Sequence, residues 1–332
     1  MGWYLAAPSA MGLNMQLTSL LFRLPIFTVD IGIAAALYWI SMRMATVSEA
    51  RLATLVWFMN PYPFLSMELL GVPDILAVLF TVLVIGSLIL RRPLLSGAFL
   101  ALGILTKLYP ILLLPPILIF TRGEGSRKGK LAILCLSLIG VLGYLMWVMP
   151  SGSQYLTQYT PVTQPMPVFV GSYITNSYGL VFVMILYYGL LNLFAKGARG
   201  TLEVLLPTFL IYYVVSNPYP QYLTWALPFM ALDIALHRRR APLFVAFSGL
   251  AFLQWFLVSP GLITPSGYSL LLIPFTGNQL PWYSIAIGNL LDSPAIGNLI
   301  IPIVSSSFYA VIIFYVVDLI RTWFGLGSRA TA

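Results

Sequence analysis

Apart from Arg23 and Lys107, the 17 Lys and Arg residues fall in one alternating set of loops between long apolar stretches. A chain so arranged is constrained to cross a bilayer repeatedly, with that set of loops on the cytoplasmic side, as the positive-inside bias requires. The set comprises Arg43 and Arg51, Arg91 and Arg92, the run from Arg122 to Lys130, Lys196 and Arg199, Arg238 to Arg240, and Arg321 with Arg329. Composition excludes the main alternative: 60% of residues are hydrophobic and 8% charged, where soluble domains carry about 25% charged residues. The formal net charge of +8 is spread over short loops rather than gathered on one face, which speaks for topology and against a nucleic-acid partner. Cys135 is the single cysteine, so an intrachain disulfide is excluded. Met1 to Asn14 lack the charged start of a signal peptide, and the N-terminus reads as mature protein or as the middle of a longer one.

Apolar runs of about 20 residues mark spanning helices, and shorter ones mark helices that only half-cross. The expected crossings are Pro25 to Met42, Leu52 to Phe64, Asp74 to Leu90, Leu131 to Met149, Leu180 to Ala195, Thr201 to Val215, Tyr222 to Leu236, Pro242 to Val258 and Ile301 to Ile320. Ser151 to Tyr178 and Ser259 to Asn298 read as long outer segments. The stretch Leu94 to Phe120 has basic loops at both ends, which a single crossing cannot place on one side. It reads as a hairpin of two short helices turning at Lys107-Leu108-Tyr109-Pro110. Each arm reaches only about 20 Å against a hydrocarbon core of roughly 30 Å. The turn therefore ends below the outer surface, where irregular backbone needs protein or a watery cavity around it, and its lysine must face water, a partner or an anion. The expected architecture is all-α: one polytopic transmembrane domain over residues 1–332, with an outer segment 1–24, a helical core 25–322 and a cytoplasmic tail 323–332. The core holds about ten crossings, counting the hairpin as two.

Asn-Pro-Tyr-Pro occurs at residues 60–63 and 217–220, each time at the outer end of a span. Two broken helix ends lining one outer cavity would explain the pair, although termination by Pro is the simpler account of each. Glu49, Glu124, Glu203, Asp233 and Asp318 fall at the inner face, and His237 joins the headgroup-facing Arg238 to Arg240. With one His and one Cys, no zinc site can be assembled from N and S ligands alone. A magnesium or manganese ion held by carboxylates and phosphate is compatible with the composition, but no metal ligands can be named.

Asn60-Pro61 with Gly71 and Asp74, then Ser96-Gly97, then Thr106-Lys107-Leu108-Tyr109-Pro110 with Pro115-Pro116, form an ordered block. It resembles the corresponding block of GT-C-type polyprenyl-phosphate-sugar glycosyltransferases, and is most similar to archaeal relatives of the mannosyltransferase that adds the first mannose in glycosylphosphatidylinositol (GPI) anchor synthesis. Arg23-Leu24-Pro25 followed by Asp30 resembles the family's helix after the first outer loop, and Gln221-Tyr222-Leu223-Thr224-Trp225 with Pro228 resembles its late outer signature. The likeness covers roughly residues 20 to 235. The family's first transmembrane helix and long outer loop, which carries the acidic catalytic residue, have no counterpart in this sequence.

The resemblance implies an integral membrane hexosyltransferase, moving mannose or another hexose from a dolichyl or polyprenyl phosphate to a glycan, lipid or protein acceptor on the extracytoplasmic side. Such chemistry needs a carboxylate to deprotonate the acceptor and a cation to hold the departing phosphate. Asp74, Glu68 and Asp30 are the candidate carboxylates, and Arg23 or Lys107 the expected partner of Asp30. Lys107 is the expected phosphate contact, and Tyr109, Arg23, Asn60, Gln221, Tyr222 and Trp225 the further substrate contacts. Two alternatives stand beside this: a noncatalytic or degenerate GT-C-fold membrane subunit, and a lipid or solute transporter; membrane lipids and an accessory membrane subunit are the further expected partners.

Overall fold

The computed structural model describes residues 15–63, 74–120, 127–158, 183–189, 201–216, 220–258 and 299–323. They build an all-α polytopic membrane protein. In chain order these are α1 (Met15–Met44), α2 (Val47–Phe58), a single turn Pro61–Pro63, α3 (Asp74–Ile89) and α4 (Pro93–Thr106). A 3₁₀ turn Tyr109–Leu113 leads to α5 (Leu114–Phe120) and α6 (Arg127–Gln158), and a short helix occupies residues 183–189. After α7 (Thr201–Ser216) come a 3₁₀ segment Pro220–Trp225, α8 (Leu227–Leu236), a 3₁₀ turn Arg238–Arg240, α9 (Ala241–Val258) and α10 (Ile301–Trp323).

Three stretches among the described residues are long and apolar enough to cross a bilayer: Arg23–Met44, Arg127–Met146 and Pro302–Arg321. The outward face of α6 carries Leu134, Leu138, Ile139 and Leu142, all exposed. In water such a stripe would be an association hazard; in hydrocarbon it is ordinary lipid contact. The hairpin is as expected in its bounds, with arms Pro93–Thr106 and, through the 3₁₀ turn, Leu114–Phe120.

Several boundaries differ from expectation. The first helix begins at Met15 and carries Pro25 inside it, so the segment assigned to an outer stretch is in part helical; proline is tolerated in membrane helices because neighbours re-satisfy the freed backbone groups. α6 continues to Gln158, past the expected end at Met149 and into the expected outer loop. The expected crossing Tyr222 to Leu236 is a 3₁₀ segment followed by a ten-residue α-helix. Irregular backbone of that kind needs burial in protein, and Leu227 through Ala235 are all buried. α8 is thus a core helix wrapped by its neighbours.

α4 lies between α3 and α6, and small residues let the last pair approach closely. A Cβ added at Gly140 would sit 2.9 Å from both the Cα and the carbonyl oxygen of Ala101, and one at Gly97 would sit 3.0 Å from the Cα of Ile133. These obstacles are backbone and cannot rotate away. Gly140→Ala is therefore expected to destabilise by about 1–3 kcal/mol, the usual range for overpacking, read as a lower thermal unfolding midpoint in detergent. Gly189→Ala, whose Cβ meets nothing within 4 Å, should leave the midpoint in place.

Candidate functional site

Pro110 has no N–H to return to the carbonyl of Thr106, so α4 cannot continue through it. Lys107 caps the helix in extended conformation, with φ −160° and ψ 143°, and the Thr106 hydroxyl donates back to the Gly103 carbonyl at 2.7 Å. The break throws the Lys107 side chain toward the start of α3. There its Nζ donates to Oδ2 of Asp74 at 2.5 Å. Asp74 is 5% exposed and Lys107 31%, so the carboxylate is enclosed while the ammonium keeps an open side. As the first residue of α3, Asp74 also sits where a helix favours negative charge.

The Lys107 ammonium stands 5.0 Å from the centroid of the Tyr222 ring, a cation–π arrangement. Tyr222 stacks on Trp225 at 4.3 Å, and Trp225 stacks on Tyr109 at 3.4 Å with the planes 6° apart. The 3₁₀ segment Pro220–Trp225 and the turn after α4 thus meet through three aromatic rings. Among the described residues the buried indole Nε1 of Trp225 has no hydrogen-bond partner. An ammonium has three donors; Asp74 takes one, and the exposed side leaves room for a ligand oxygen beside an aromatic wall.

Of the expected site residues, the fold brings together Asp74, Lys107, Tyr109, Tyr222 and Trp225. Asn60 belongs to the adjoining end of α2: its Oδ1 accepts from the Tyr62 N–H at 3.0 Å and its Nδ2 donates to the Ser248 hydroxyl at 3.1 Å. That is helix capping joined to a cross-helix bond. Asp30 lies elsewhere, in the α1–α2 seam, where it accepts from Nε1 of Trp57 at 2.7 Å. Of the two cations expected to serve Asp30, Lys107 is held by Asp74 instead. Arg23 is part-buried within α1. Glu68, Gly71 and the second Asn-Pro-Tyr motif up to Tyr219 lie outside the described residues, as does the side chain of Gln221.

Sequence reasoning passed over a second polar cluster. Asp233, on the buried helix α8, accepts from Nη1 of Arg240 at 2.6 Å and from the Tyr315 hydroxyl at 2.8 Å, and lies 3.1 Å from Nδ1 of His237. Nε of Arg240 donates to Asp318 at 2.6 Å. Arg240, 1% exposed, is thus bound into the bundle, which corrects its placement with the headgroup-facing basic residues, whereas His237 stays 35% exposed beside the exposed Arg238 and Arg239. The signal was present: a carboxylate in an otherwise apolar helix, with His at i+4 and Arg at i+7. Among the described residues no group of three or more His, Cys, Asp or Glu could hold a metal ion.

The fold defines the class, an all-α polytopic membrane protein. More narrowly, the family model described as GPI transamidase subunit PIG-U matches residues 3–225, and the chain belongs to that family. No curated protein and no solved structure matches it. The match overturns the expected hexose transfer, since a GPI transamidase attaches proteins to GPI anchors rather than moving mannose from a polyprenyl donor. The degenerate-transferase alternative fits it poorly as well.

Proposed function

We propose that this chain is a non-catalytic membrane subunit of a transamidase complex that joins proteins to GPI anchors, and that its Lys107 end receives the polar head of the anchor lipid on the extracytoplasmic side. The observation that carries the reading is the family match over residues 3–225. Moving an acyl group from a peptide bond to an amine needs an activated nucleophile, a base and oxyanion donors. The one cysteine, Cys135, is exposed within α6, and the one histidine is turned to Asp233. That placement favours a nucleophile supplied by another subunit. What this chain offers is position: holding a lipid amine at a fixed place converts a bimolecular encounter into an effectively unimolecular one. The open side of the Lys107 ammonium suits phosphate oxygens, and the Tyr222 and Trp225 rings suit the apolar face of a sugar.

The test is removal of the chain from its own cells, with attachment of a reporter protein to its lipid anchor as the readout. Loss of attachment, its recovery on re-expression, and co-purification with a thiol-dependent transamidase subunit are expected. Undiminished attachment without the chain would contradict the proposal.

A further inference from the structure

A cavity of about 1020 Å³ opens between α2 and α9, and none of Asp74, Lys107, Tyr222 or Trp225 lines it. Its walls are apolar, with Leu55, Val56 and Met59 on one side and Phe244, Val245 and Phe252 on the other. One end is formed by Ser48, Arg51 and Arg238. From Ser48 to Met59 the groove follows α2 for about 16 Å at the helical rise, which matches one leaflet of a roughly 30 Å core.

The charges at the basic end are arranged for an outside anion. Of the three consecutive arginines, Arg239 and Arg240 turn to Asp318 and Asp233, whereas Arg238 turns to the Ser48 hydroxyl at 3.3 Å. The neighbouring carboxylate, Glu49, is engaged by the Thr46 cap, accepting from its N–H at 2.7 Å and its hydroxyl at 2.9 Å. Those bonds, and more weakly the charge of Arg238, hold the Glu49 carboxyl below its ordinary pKa. Among the described residues no carboxylate lies within ion-pair distance of Arg51 or Arg238. Two arginines with no carboxylate at ion-pair distance among the described residues therefore meet the mouth of an apolar groove at the end where the positive loops gather.

The geometry points to a binding site for an anionic phospholipid of the cytoplasmic leaflet, its phosphate between Arg51 and Arg238 and an acyl chain along the α2–α9 groove. Arginine suits a phosphate because its planar fork presents paired donors. The site is independent of the transamidase reading and of the Lys107 end.

Native mass spectrometry of the full chain, released from nanodiscs of phosphatidylcholine with a minor fraction of phosphatidylserine, tests it. The wild type should retain phosphatidylserine in preference to phosphatidylcholine. Arg51→Gln with Arg238→Gln should weaken that retention about thirty-fold, the effect of two surface cations on an anionic lipid. Gly249→Leu should lower lipid retention without unfolding, because Gly249 lines the groove and a Cβ there meets nothing within 4 Å. Arg43→Gln, at a residue stacked over Trp39 at 5.6 Å and outside the groove, should keep the preference. Equal retention of the two lipids, or a double variant that binds phosphatidylserine like the wild type, would overturn the site. So would a photo-crosslinker at Val245 that captures a polypeptide instead of lipid in the assembled complex.

Discussion

Arg240→Met is expected to destabilise the protein by about 3–5 kcal/mol, the usual loss when one partner of a buried ion pair is removed. Arg240 and Asp233 are each 1% exposed, so the variant leaves a carboxylate inside the bundle with, among the described residues, Tyr315 and His237 to satisfy it. Burial works against the guanidinium, but Asp233 and Asp318 outweigh it and hold the group above the ordinary arginine pKa. The guanidinium charge therefore persists across the physiological range, and the loss should not vary with pH through any titration of Arg240. Arg240→Lys should recover part of the stability only, because one ammonium cannot reproduce a fork that reaches Asp233 through Nη1 and Asp318 through Nε. Adding Asp233→Asn to Arg240→Met removes the stranded charge, and the double variant should unfold at a higher temperature than the single one. Thermal unfolding in detergent reads all three. A single variant as stable as wild type would mean that water, rather than Arg240, satisfies Asp233.

Lys107→Met is expected to lower attachment of proteins to their anchors by about ten-fold or more, the loss of one hydrogen bond to a charged ligand group. Its stability effect should be smaller than that of Arg240→Met, about 1–3 kcal/mol, since Lys107 is 31% exposed and Asp74 keeps the favourable end of α3. The two effects separate in the double variant Lys107→Met with Asp74→Asn. Removing both charges should restore most of the stability while leaving attachment impaired. If attachment returned with stability, Lys107 would be a structural partner of Asp74 and nothing more.

The sequence made some of this legible through local rules. The Lys107 turn follows from Pro110 and from two apolar arms too short to span, and both can be read residue by residue. The gathering of positive residues at one end follows from the loops alone. The pairing of Lys107 with Asp74 is different in kind: it joins positions 33 residues apart, and no periodicity encodes which carboxylate a lysine will meet. Asp30 had an equal claim by composition and found Trp57 instead. Asp233 was missed because the positive-inside rule placed it near the cytoplasm, and a topology rule does not say whether a side chain faces water or the bundle. The extension of α6 through Pro150 and the inclusion of Pro25 in α1 were hidden for a related reason. Proline ends helices reliably in water, where the freed carbonyl can be solvated, and less reliably in a bilayer. The resemblance led to the right fold relation and the wrong reaction, because a scaffold shared by membrane subunits does not carry the chemistry of any one of them.

The central claim is that the open side of the Lys107 cluster touches the anchor lipid. It is tested most directly by placing a photo-reactive amino acid at Tyr222 in the assembled complex, with Leu138, on the lipid-facing side of α6, as the reference position. Irradiation with radiolabelled GPI lipid should label the chain through position 222, and position 138 should capture bulk phospholipid only. Equal labelling from both positions, or labelling from neither, would contradict the account.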